Sequence, residues 1–404
     1  MNPETYKDGI VMKILMIAPE PFFQPRGTPF SEYHRLRALS KLGHTVDLLT
    51  YPVGEDVDIE NVTIYRSLNL PFVKHVKIGP SLIKIFLDIP LFLQALWMAL
   101  TRPYDCLHTH EEAVVVGAVL RKFFGYPHVY DMHSSLPEQM SNFGISRSRL
   151  LFKFGEFMER WVLKHSSRTI VICPYLGERV QKLDRNQPYL VIENVPVTDD
   201  SRKISPEDVE RLRQRLGMGG QTVILYTGTM EAYQGIDLLL ESAKHVSKQE
   251  ENVRYVLVGG HPEQIEHMQE LARLLGVDKI THFLGQQPVE DMPLYMQLAD
   301  ILVSPRKDGK NTPLKIYSYL KSGKPIVATN LLTHTQVLHD DVAVLAENTA
   351  EAFAEGTLKL LHNPLLRTQL AANALRLSQE KYSYEAYLEK TAQVYRYVEE
   401  SLKR

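Results

Sequence analysis

The sequence predicts an α/β protein with two doubly wound domains, each built on a parallel sheet. Apolar runs of strand length alternate with amphipathic stretches of helix length along almost the whole chain, which is typical of parallel sheets joined by crossover helices. The chain has 404 residues, more than one hydrophobic core usually serves. We expect a first domain over residues 1–196, a second over 197–382 and a final helix over 383–404 that packs back on the first.

Composition excludes several classes of protein. Hydrophobic residues make up 44% and charged residues 23% of the chain, as in globular proteins. The net charge of -2 gives no reason to expect nucleic acid as a partner. Cys106 and Cys173 are the only cysteines, which suits a reducing compartment. The first apolar run is only a strand long and ends at Pro19, so no secretory signal is indicated and we expect a cytoplasmic protein.

The first domain opens with a strand, helix, strand unit. Strands are predicted over Lys13–Ala18 and Thr45–Thr50, with a loop over 19–29 and a helix over 31–42 between them. Gly27 lies in that loop, where parallel sheets bind ligands beyond the carboxyl ends of strands. A lone glycine more often permits a turn, and the dinucleotide fingerprint is absent.

The most apolar stretch covers residues 78–100. Lys84, Asp88 and Pro90 interrupt it, so it does not predict a membrane-spanning helix. We expect a buried helix, with contact to a membrane surface as the alternative.

The rest of the first domain continues the alternation. Strands are expected over 104–110, 128–131, 169–173 and 189–195, and helices over 112–124 and 150–165. The second helix has basic residues in and next to it, which either form a solvated face or meet anionic lipid or an acceptor. These residues are Arg147, Arg149, Lys153, Arg160 and Lys164.

Histidines mark the edge of the predicted sheet. His108 and His110 share one face of a strand and, with Glu111 and Glu112, resemble metal ligands. No distant partner pattern supports that interpretation, so no metal and no other cofactor is expected. His133 follows the next strand, where a neutral imidazole can donate to a sugar hydroxyl. A structural histidine is the alternative.

The second domain repeats the pattern. Its strands are predicted over 222–226, 254–258, 280–284, 300–303, 326–328 and 343–346. Its helices are predicted over 206–216, 236–245, 263–275, 292–299, 312–322, 349–361 and 364–381, and the final helix covers 384–402.

Residues 304–329 are the segment around which the rest is organised. Thr312 is a good N-cap, Pro313 suits the first helical position and Gly323 indicates the end of the helix. Cations crowd the amino end of this helix, where its dipole disfavours each by about 0.3–1 kcal/mol. A bound anion reverses that cost, and phosphate suits exposed amides with lysine and arginine. A solvated basic loop is the alternative. The cations are Arg306, Lys307, Lys310 and Lys315.

The order of motifs resembles glycosyltransferase family 4, whose retaining enzymes have GT-B architecture. The matching segments include RGTPFSEYHRLRALSKLGHTVDLLTY, YDMHSS, VIENVP, YTGTMEAYQGIDLLLESAKHV and ADILVSPRKDGKNTPLKIYSYLKSGKPIVATN. This resemblance implies two Rossmann-like domains facing across a cleft. It also implies a nucleoside-diphosphate sugar held mainly by the second domain, an acceptor mainly on the first, and no required metal.

The resemblance also implies roles for individual residues. Gly27 and Gly228 would lie near the donor diphosphate, His133 near the transferred sugar, and Gly259 and Gly260 near the base. The segment Asn311, Thr312, Pro313, Leu314 and Lys315 would place helix amides on phosphate.

This chain departs from the family pattern at four positions. Lys310 and Ser318 replace a glutamate pair that brackets the donor in many relatives, and Thr229 and Gln234 replace an arginine and a lysine. Ser318 can accept from ribose only singly. We expect Arg306, Lys310 and Lys315 to supply the lost positive charge.

The expected activity is therefore metal-independent transfer of a sugar to a glycan or lipid-linked acceptor, with retention, in polysaccharide or glycolipid synthesis. Peripheral contact at the inner face of the membrane belongs to this expectation. One alternative is a nucleotide-sugar-binding protein that has lost transfer. Another is a GT-B epimerase, which needs acid and base carboxylates that the sequence alone does not identify.

Overall fold

The computed structural model describes residues 10–23, 27–69, 82–135, 137, 149–196 and 204–403. The chain forms two compact units. Met1–Asn194 and Tyr384–Arg404 make up the first, and Val195–Ser383 the second. None of the described helices is long and apolar enough to cross a membrane.

The first unit contains a seven-stranded sheet in which all paired strands are parallel. Its strands are β1 (Lys13–Ala18), β2 (Thr45–Thr50), β3 (Val62–Arg66), β4 (Cys106–His110), β5 (His128–Met132), β6 (Arg168–Val171) and β7 (Tyr189–Val191). The strand order is β3-β2-β1-β4-β5-β6-β7. All but the first residue of β1 are buried, as expected for a parallel strand covered on both faces.

Five helices and the C-terminal helix cover this sheet. They are α1 (Gly27–Lys41), α2 (Leu82–Thr101), α3 (Val114–Phe124), α4 (Arg149–Lys164), α5 (Pro174–Leu183) and the C-terminal helix (Tyr384–Leu402). The C-terminal helix contacts α1 and β6. It buries Val394, Tyr395 and Val398, so one side of it belongs to the core of the first unit.

The second unit contains a six-stranded sheet, also parallel. Its strands are β8 (Thr222–Thr227), β9 (Val253–Val258), β10 (Thr281–Gly285), β11 (Ile301–Ser304), β12 (Ile326–Thr329) and β13 (Val344–Ala346). Their order is β10-β9-β8-β11-β12-β13. Its helices are α6 (Pro206–Arg215), α7 (Ile236–Val246), α8 (Pro262–Leu275), α9 (Met292–Leu298), α10 (Leu314–Ser322), α11 (Leu332–Thr335), α12 (Ala350–His362) and α13 (Pro364–Lys381). The predicted α/β class with two Rossmann-like sheets is confirmed.

Two predicted helix starts are wrong. Helix α1 begins at Gly27, inside the stretch predicted as a loop over 19–29, whose residues 24–26 lie outside the described residues. Helix α10 begins at Leu314, because Pro313 has an extended ψ of 137° and serves as N-cap. Thr312 makes no capping bond, since a residue before proline is driven away from helical geometry.

The predicted helix over 78–100 is present in its described part but is buried on one side only. Residues 78–81 lie outside the described residues, and α2 continues through Pro90 to Thr101. One side of α2 packs on the sheet through Leu87 and Leu91, whereas Leu93 and Trp97 are 63% and 56% exposed. The sequence did not indicate β3 or α5 either.

Candidate functional site

In each sheet there is one point at which the connections that follow two neighbouring strands run in opposite directions. In the second unit β8 is followed in sequence by β9 on one side, while β11 lies on its other side. In the first unit β1 is similarly placed between β2 and β4. Ligands of open α/β sheets bind beyond the carboxyl ends of strands at such switch points. Both predicted sets of site residues lie there.

In the second unit the backbone after β8 leaves no room for side chains. Gly228 has a φ of +138°, and a Cβ there would lie 3.0 Å from the Lys315 Nζ. Gly259, which follows β9, has a φ of +116°, and its Cβ would lie 2.0 Å from the Gly228 carbonyl oxygen. Only glycine fits these two positions, so a ligand can approach the main chain closely.

Lys315 lies in the first turn of α10 and turns towards Gly228. Its Nζ donates to the Gln234 Oε1 at 3.2 Å and lies 3.8 Å from the centre of the Tyr226 ring. Burial, reinforced by the charge of Arg306, holds the pKa of Lys315 well below its usual range. No described carboxylate lies within 4 Å of this ammonium group to offset the cost.

Arg306 is the second cation of this site. Its Nε donates to the Asp308 carbonyl oxygen at 2.7 Å, and its guanidinium carbon lies 4.9 Å from the centre of the Tyr233 ring. Burial lowers the pKa of Arg306. Lys307, by contrast, forms an ion pair with Asp237. Two of the predicted cations therefore lie in the described part of the site without a carboxylate partner.

The start of α10 leaves polar groups available. The first amides of a helix have no partner within it, and no described side chain caps α10. The Thr312 Oγ1 is buried and has no hydrogen-bond partner. The backbone of Asn311 is fixed by Thr333, whose Oγ1 donates to the Asn311 carbonyl oxygen at 2.6 Å.

The four residues that depart from the family pattern fall into two groups, according to whether they contact the Lys315 site. Gln234 and Thr229 join the site, because the Gln234 Nε2 donates to the Thr229 Oγ1 at 3.4 Å and the Gln234 Oε1 accepts from Lys315. Ser318 is buried within α10, and Lys310 is exposed on the loop before it. Gly260 packs beside Met230, whose Sδ lies 2.7 Å from a Cβ built on this glycine.

In the first unit His133 belongs to a buried ion-pair network. Its Nε2 lies 3.3 Å from the Asp131 Oδ1. Burial alone would lower the pKa of His133, but the charge of Asp131, with Glu111 and Glu20, raises it overall. These surroundings favour the imidazolium form rather than the neutral imidazole expected from the sequence.

Asp131 is held from two further sides. The Arg35 Nε donates to the Asp131 Oδ2 at 3.0 Å, and the Arg35 Nη1 donates to the Thr391 Oγ1 at 2.8 Å. The His108 Nε2 lies 3.4 Å from the same carboxylate oxygen, and the His108 Nδ1 is 2.6 Å from the Tyr395 hydroxyl. Although burial opposes ionisation, Arg35 and His133 hold the pKa of Asp131 well below its usual range. The C-terminal helix thus helps to orient His133 through Arg35 and Asp131.

A pair of buried carboxyl groups lies beside this network. Burial, reinforced by the neighbouring Glu20 charge, raises the pKa of Glu32 well above its usual range. Burial also raises the pKa of Glu20. Glu111 accepts from the Ser134 hydroxyl at 2.8 Å, and burial raises its pKa as well. Glu20 and Glu111 therefore act on the charge of His133, and the Glu32 Oε1 lies 3.9 Å from the Nδ1 of the neighbouring His110.

The histidines predicted as alternative metal ligands are only partly brought together. Ligand atoms of His108, His110 and Asp131 lie within 4.8 Å of one another. Glu112 instead pairs with Lys84 at 3.2 Å. The Arg35 guanidinium occupies one side of Asp131, where its charge opposes a bound cation. Absence of a required metal stays a prediction.

Sequence reasoning missed Glu20, Glu32, Arg35 and Asp131. Glu20 follows β1 at the switch point. Knowledge of the strand order would have indicated it as a candidate site residue. Glu32 and Arg35 lie on α1, which starts at Gly27. Asp131 ends the predicted strand over 128–131 but is buried, with 1% of its surface exposed, which no local signal indicated.

Comparisons with known families agree with this division of the chain. Residues 33–195 match the model of "Glycosyltransferase Family 4", and residues 208–376 match that of "Glycosyl transferases group 1". The chain is a GT-B glycosyltransferase of the group 1/family 4 type. The predicted family is thereby confirmed at this level.

Related glycosyltransferases cover much of the chain. The α-D-kanosaminyltransferase of Streptomyces kanamyceticus is 23% identical over 69% of this chain and 72% of its own length. The phosphatidyl-myo-inositol mannosyltransferase of Mycobacterium leprae is 23% identical over 89% of this chain and 90% of its own length.

Solved structures show the same fold. Sucrose-phosphate synthase from Thermosynechococcus elongatus superposes with a TM-score of 0.77 at 19% identity, over 95% of this glycosyltransferase and 98% of that chain. The Anabaena protein HepE, solved in complex with UDP-glucose, has a TM-score of 0.73 at 17% identity, over 95% and 99% of the two chains.

Proposed function

We propose that this glycosyltransferase moves a sugar from a nucleoside-diphosphate sugar to a glycan or lipid-linked acceptor, with retention and without a metal. The observation that carries the proposal is the pair Lys315 and Arg306, which have no described carboxylate partner beside the exposed backbone of Gly228. Uncompensated, partly buried cations are costly, and a diphosphate removes that cost.

The donor residues have distinct tasks in this proposal. As the bond between the anomeric carbon and the phosphate oxygen breaks, negative charge grows on the diphosphate. Lys315, Arg306 and the first amides of α10 stabilise that charge. Gly228 lets the diphosphate approach the main chain, and Thr229 and Gln234 hold the Lys315 ammonium in place. Gly259 and Gly260 lie towards the base, and Ser318 and Lys310 towards the ribose and phosphate.

Retention follows if the acceptor hydroxyl attacks on the face that the diphosphate leaves. The new bond then joins the acceptor oxygen to the anomeric carbon, and the acceptor proton passes to a phosphate oxygen. No strong protein base is required. In this proposal His133, whose pKa Asp131 raises, donates a hydrogen bond to a hydroxyl of the transferred sugar, and Gly27 is assigned to the diphosphate.

Two related proteins support the choice of substrates. HepE was solved with UDP-glucose, which favours a nucleoside-diphosphate hexose as donor. The name of the Mycobacterium leprae relative states a phosphatidyl-myo-inositol acceptor, which favours a lipid-linked acceptor and a location at the inner face of the membrane. Synthesis of a surface polysaccharide or glycolipid fits both.

A donor and acceptor screen with a chelator present tests the proposal. We expect nucleoside diphosphate to be released with a matching pair, and NMR of the product to show the donor's anomeric configuration. Lys315→Ala should lower kcat by about 10²- to 10³-fold, the usual effect of removing one charge-stabilising donor. Lys307→Ala is the matched control, since its charge is already paired with Asp237. Absence of both nucleotide binding and release with every donor would contradict the proposal.

An epimerase acting on the nucleotide sugar is the alternative that one observation favours. The carboxyl groups of Glu20 and Glu111, whose pKa values burial raises, lie near enough to His133 to interact with its charge. Such groups can exchange a proton near neutral pH. If the donor is converted to an epimer in the absence of any acceptor, this function replaces the transferase.

A further inference from the structure

Three helices of the first unit form one layer on a single face of its sheet. Helix α2 leads from β3 to β4, α3 from β4 to β5 and α4 from β5 to β6, so all three cross the sheet in the same direction. Right-handed crossovers place them on one face and α1, which leads from β1 back to β2, on the other. Contacts join α2 to α3 and α3 to α4.

The outer side of α2 is apolar along its whole described length. The exposed positions recur every three or four residues, as one helical face requires. Their exposed fractions are between 40% and 63%, and the residues are Ile83, Phe86, Ile89, Leu93, Trp97 and Leu100. Thr101 is the one other exposed side chain of α2 among those that the structure describes.

The charges of α2 do not interrupt this face, because they turn inward. Lys84 pairs with Glu112 at 3.2 Å, and Asp88 accepts a hydrogen bond from the Tyr51 hydroxyl. Lys84 and Asp88, the two charged residues that interrupt the apolar stretch, are thus used inside the fold. An amphipathic surface helix normally shows polar residues outward, and α2 does the opposite.

The neighbouring helices extend the face with aromatic and basic side chains. At the end of α3, Lys122, Phe123 and Phe124 are exposed, and the Lys122 Nζ lies 5.3 Å from the Phe123 ring centre. On α4 the exposed residues are Phe152, Lys153, Phe154, Phe157, Arg160 and Lys164. The basic residues and Phe157 recur at helical spacing, so they lie on one side.

No acidic side chain is exposed on the described part of this face. Glu159 of α4 is buried and paired with Arg179, Glu156 is half-buried, and α3 contains no acidic residue. The exposed charges of these helices are therefore positive wherever the structure describes them. Exposed Trp and Phe with Lys and Arg are the composition by which helices bind the interface of anionic membranes.

We propose that the outer faces of α2, α4 and the end of α3 form a docking surface for an anionic phospholipid bilayer. The apolar side chains of α2 enter the boundary between headgroups and acyl chains, while Lys122, Lys153, Arg160 and Lys164 meet the lipid phosphates. The surface lies on a different side of the first sheet from α1. It adds a partner to the proposed function, but binding does not require transfer chemistry.

Vesicle flotation tests the surface without any nucleotide sugar, so its outcome is separate from the activity screen. Vesicles of phosphatidylcholine alone are compared with vesicles of equal parts phosphatidylcholine and phosphatidylglycerol. We expect binding to the anionic vesicles that weakens with added salt. Leu93→Ser with Trp97→Ser should reduce the bound fraction at least about tenfold, since both exposed anchors are lost. Lys153→Glu with Arg160→Glu should abolish the preference for anionic lipid.

The matched control is Leu274→Ser with Leu365→Ser, which removes two side chains of the second unit that are 80% and 84% exposed. This variant should bind vesicles as the unmodified chain does, and unchanged unfolding midpoints would show that all variants fold. No binding by the unmodified chain, or equal loss in the control, overturns the proposal. A dimer that Leu93→Ser with Trp97→Ser dissociates would assign the face to a second copy instead.

A spectroscopic readout locates the contact. The chain has two tryptophans, Trp97 and Trp161, so Trp161→Phe leaves Trp97 as the sole reporter. Its emission should shift to the blue with anionic vesicles and be quenched by lipids brominated on their acyl chains. An unchanged emission would place Trp97 outside the bilayer and overturn the proposal.

Discussion

The two switch points balance their charges differently. In the first unit Arg35, His108 and His133 surround the buried carboxylate of Asp131, and the surrounding protein supplies both signs. In the second unit Lys315 and Arg306 lie near enough for each charge to affect the other, and neither forms a described ion pair with a carboxylate. A balanced network holds its members in place, whereas an unbalanced one stays costly until an anion arrives. The first edge is therefore suited to orienting His133, and we propose that the second binds the anionic ligand.

Removing one member of the balanced network should have the largest effect. Arg35→Ala removes the guanidinium from the buried carboxylate of Asp131 and leaves it with imidazole neighbours alone, which we expect to cost about 3–5 kcal/mol in the free energy of unfolding. Arg211→Ala, at an exposed pair with Asp208, is the control and should cost no more than about 1 kcal/mol. Urea denaturation measures both. Equal losses would show that the buried network is no more important than a surface ion pair.

Removing one member of the unbalanced pair should affect ligand binding instead. Arg306→Ala should weaken the binding of UDP, GDP or ADP by about one to two orders of magnitude, because a charged hydrogen bond contributes about 1.5–3 kcal/mol. The free energy of unfolding without ligand should fall by less than in Arg35→Ala, because Arg306 forms no described ion pair and its described contacts are the Asp308 carbonyl oxygen and the Tyr233 ring. Calorimetry with Lys307→Ala as control measures the difference. A large loss of stability in Arg306→Ala would show that this cation stabilises the fold as Arg35 does, and would contradict the contrast between the two switch points.

The charge of His133 should depend on Asp131. The carboxylate raises the pKa of His133 against the opposing effect of burial, so Asp131→Asn should lower that pKa. In the unmodified chain the stability from charged His133 is present below its unfolded pKa and is lost as pH rises through the folded pKa. In Asp131→Asn the free energy of unfolding should decrease less over that pH range. NMR titration measures the pKa of His133 in both proteins, and the His133→Gln variant assigns the signal. An unchanged pKa in Asp131→Asn would contradict the role of Asp131 as the orienting group.

The smallest expected effect concerns Glu32. Folding favours its protonated form, because burial and the Glu20 charge raise its pKa. The unmodified chain therefore loses stability as pH rises from the unfolded towards the folded pKa. Glu32→Gln cannot ionise, so its free energy of unfolding relative to the unmodified chain should increase with pH. Urea denaturation at mildly acidic and mildly alkaline pH measures this, with exposed Glu263→Gln as control. A difference that does not vary with pH would contradict it.

Much of the second site could be predicted from the sequence because its signals are local. The apolar run of β11, the loop after it and the α10 pattern lie within one continuous segment, and Lys315 lies in that segment. The start of α10 was misplaced by two residues, since the geometry before and at Pro313 depends on the loop rather than on capping preference. Gly228 was indicated only by the family resemblance. Its contact with Lys315 requires β8 and β11 to be neighbours.

The balanced network could not be predicted in the same way. Glu20, Arg35, His108, Asp131 and Tyr395 come from five separate stretches of the chain, and only the strand order with the returning C-terminal helix brings them together. The outer face of α2 was likewise hidden, because the charged residues Lys84 and Asp88 lie on the side that packs inward, opposite to the usual pattern of a surface helix.

The residues alone determined the class of fold, the alternation of strands and helices and the segment from Arg306 to Lys315, because periodicity and turn chemistry act over a few neighbours. The tertiary structure alone decided which cations lack partners, which carboxyl groups are buried and which apolar face meets water. Those properties depend on burial and on distances between remote residues, and both arise only when the sheets assemble.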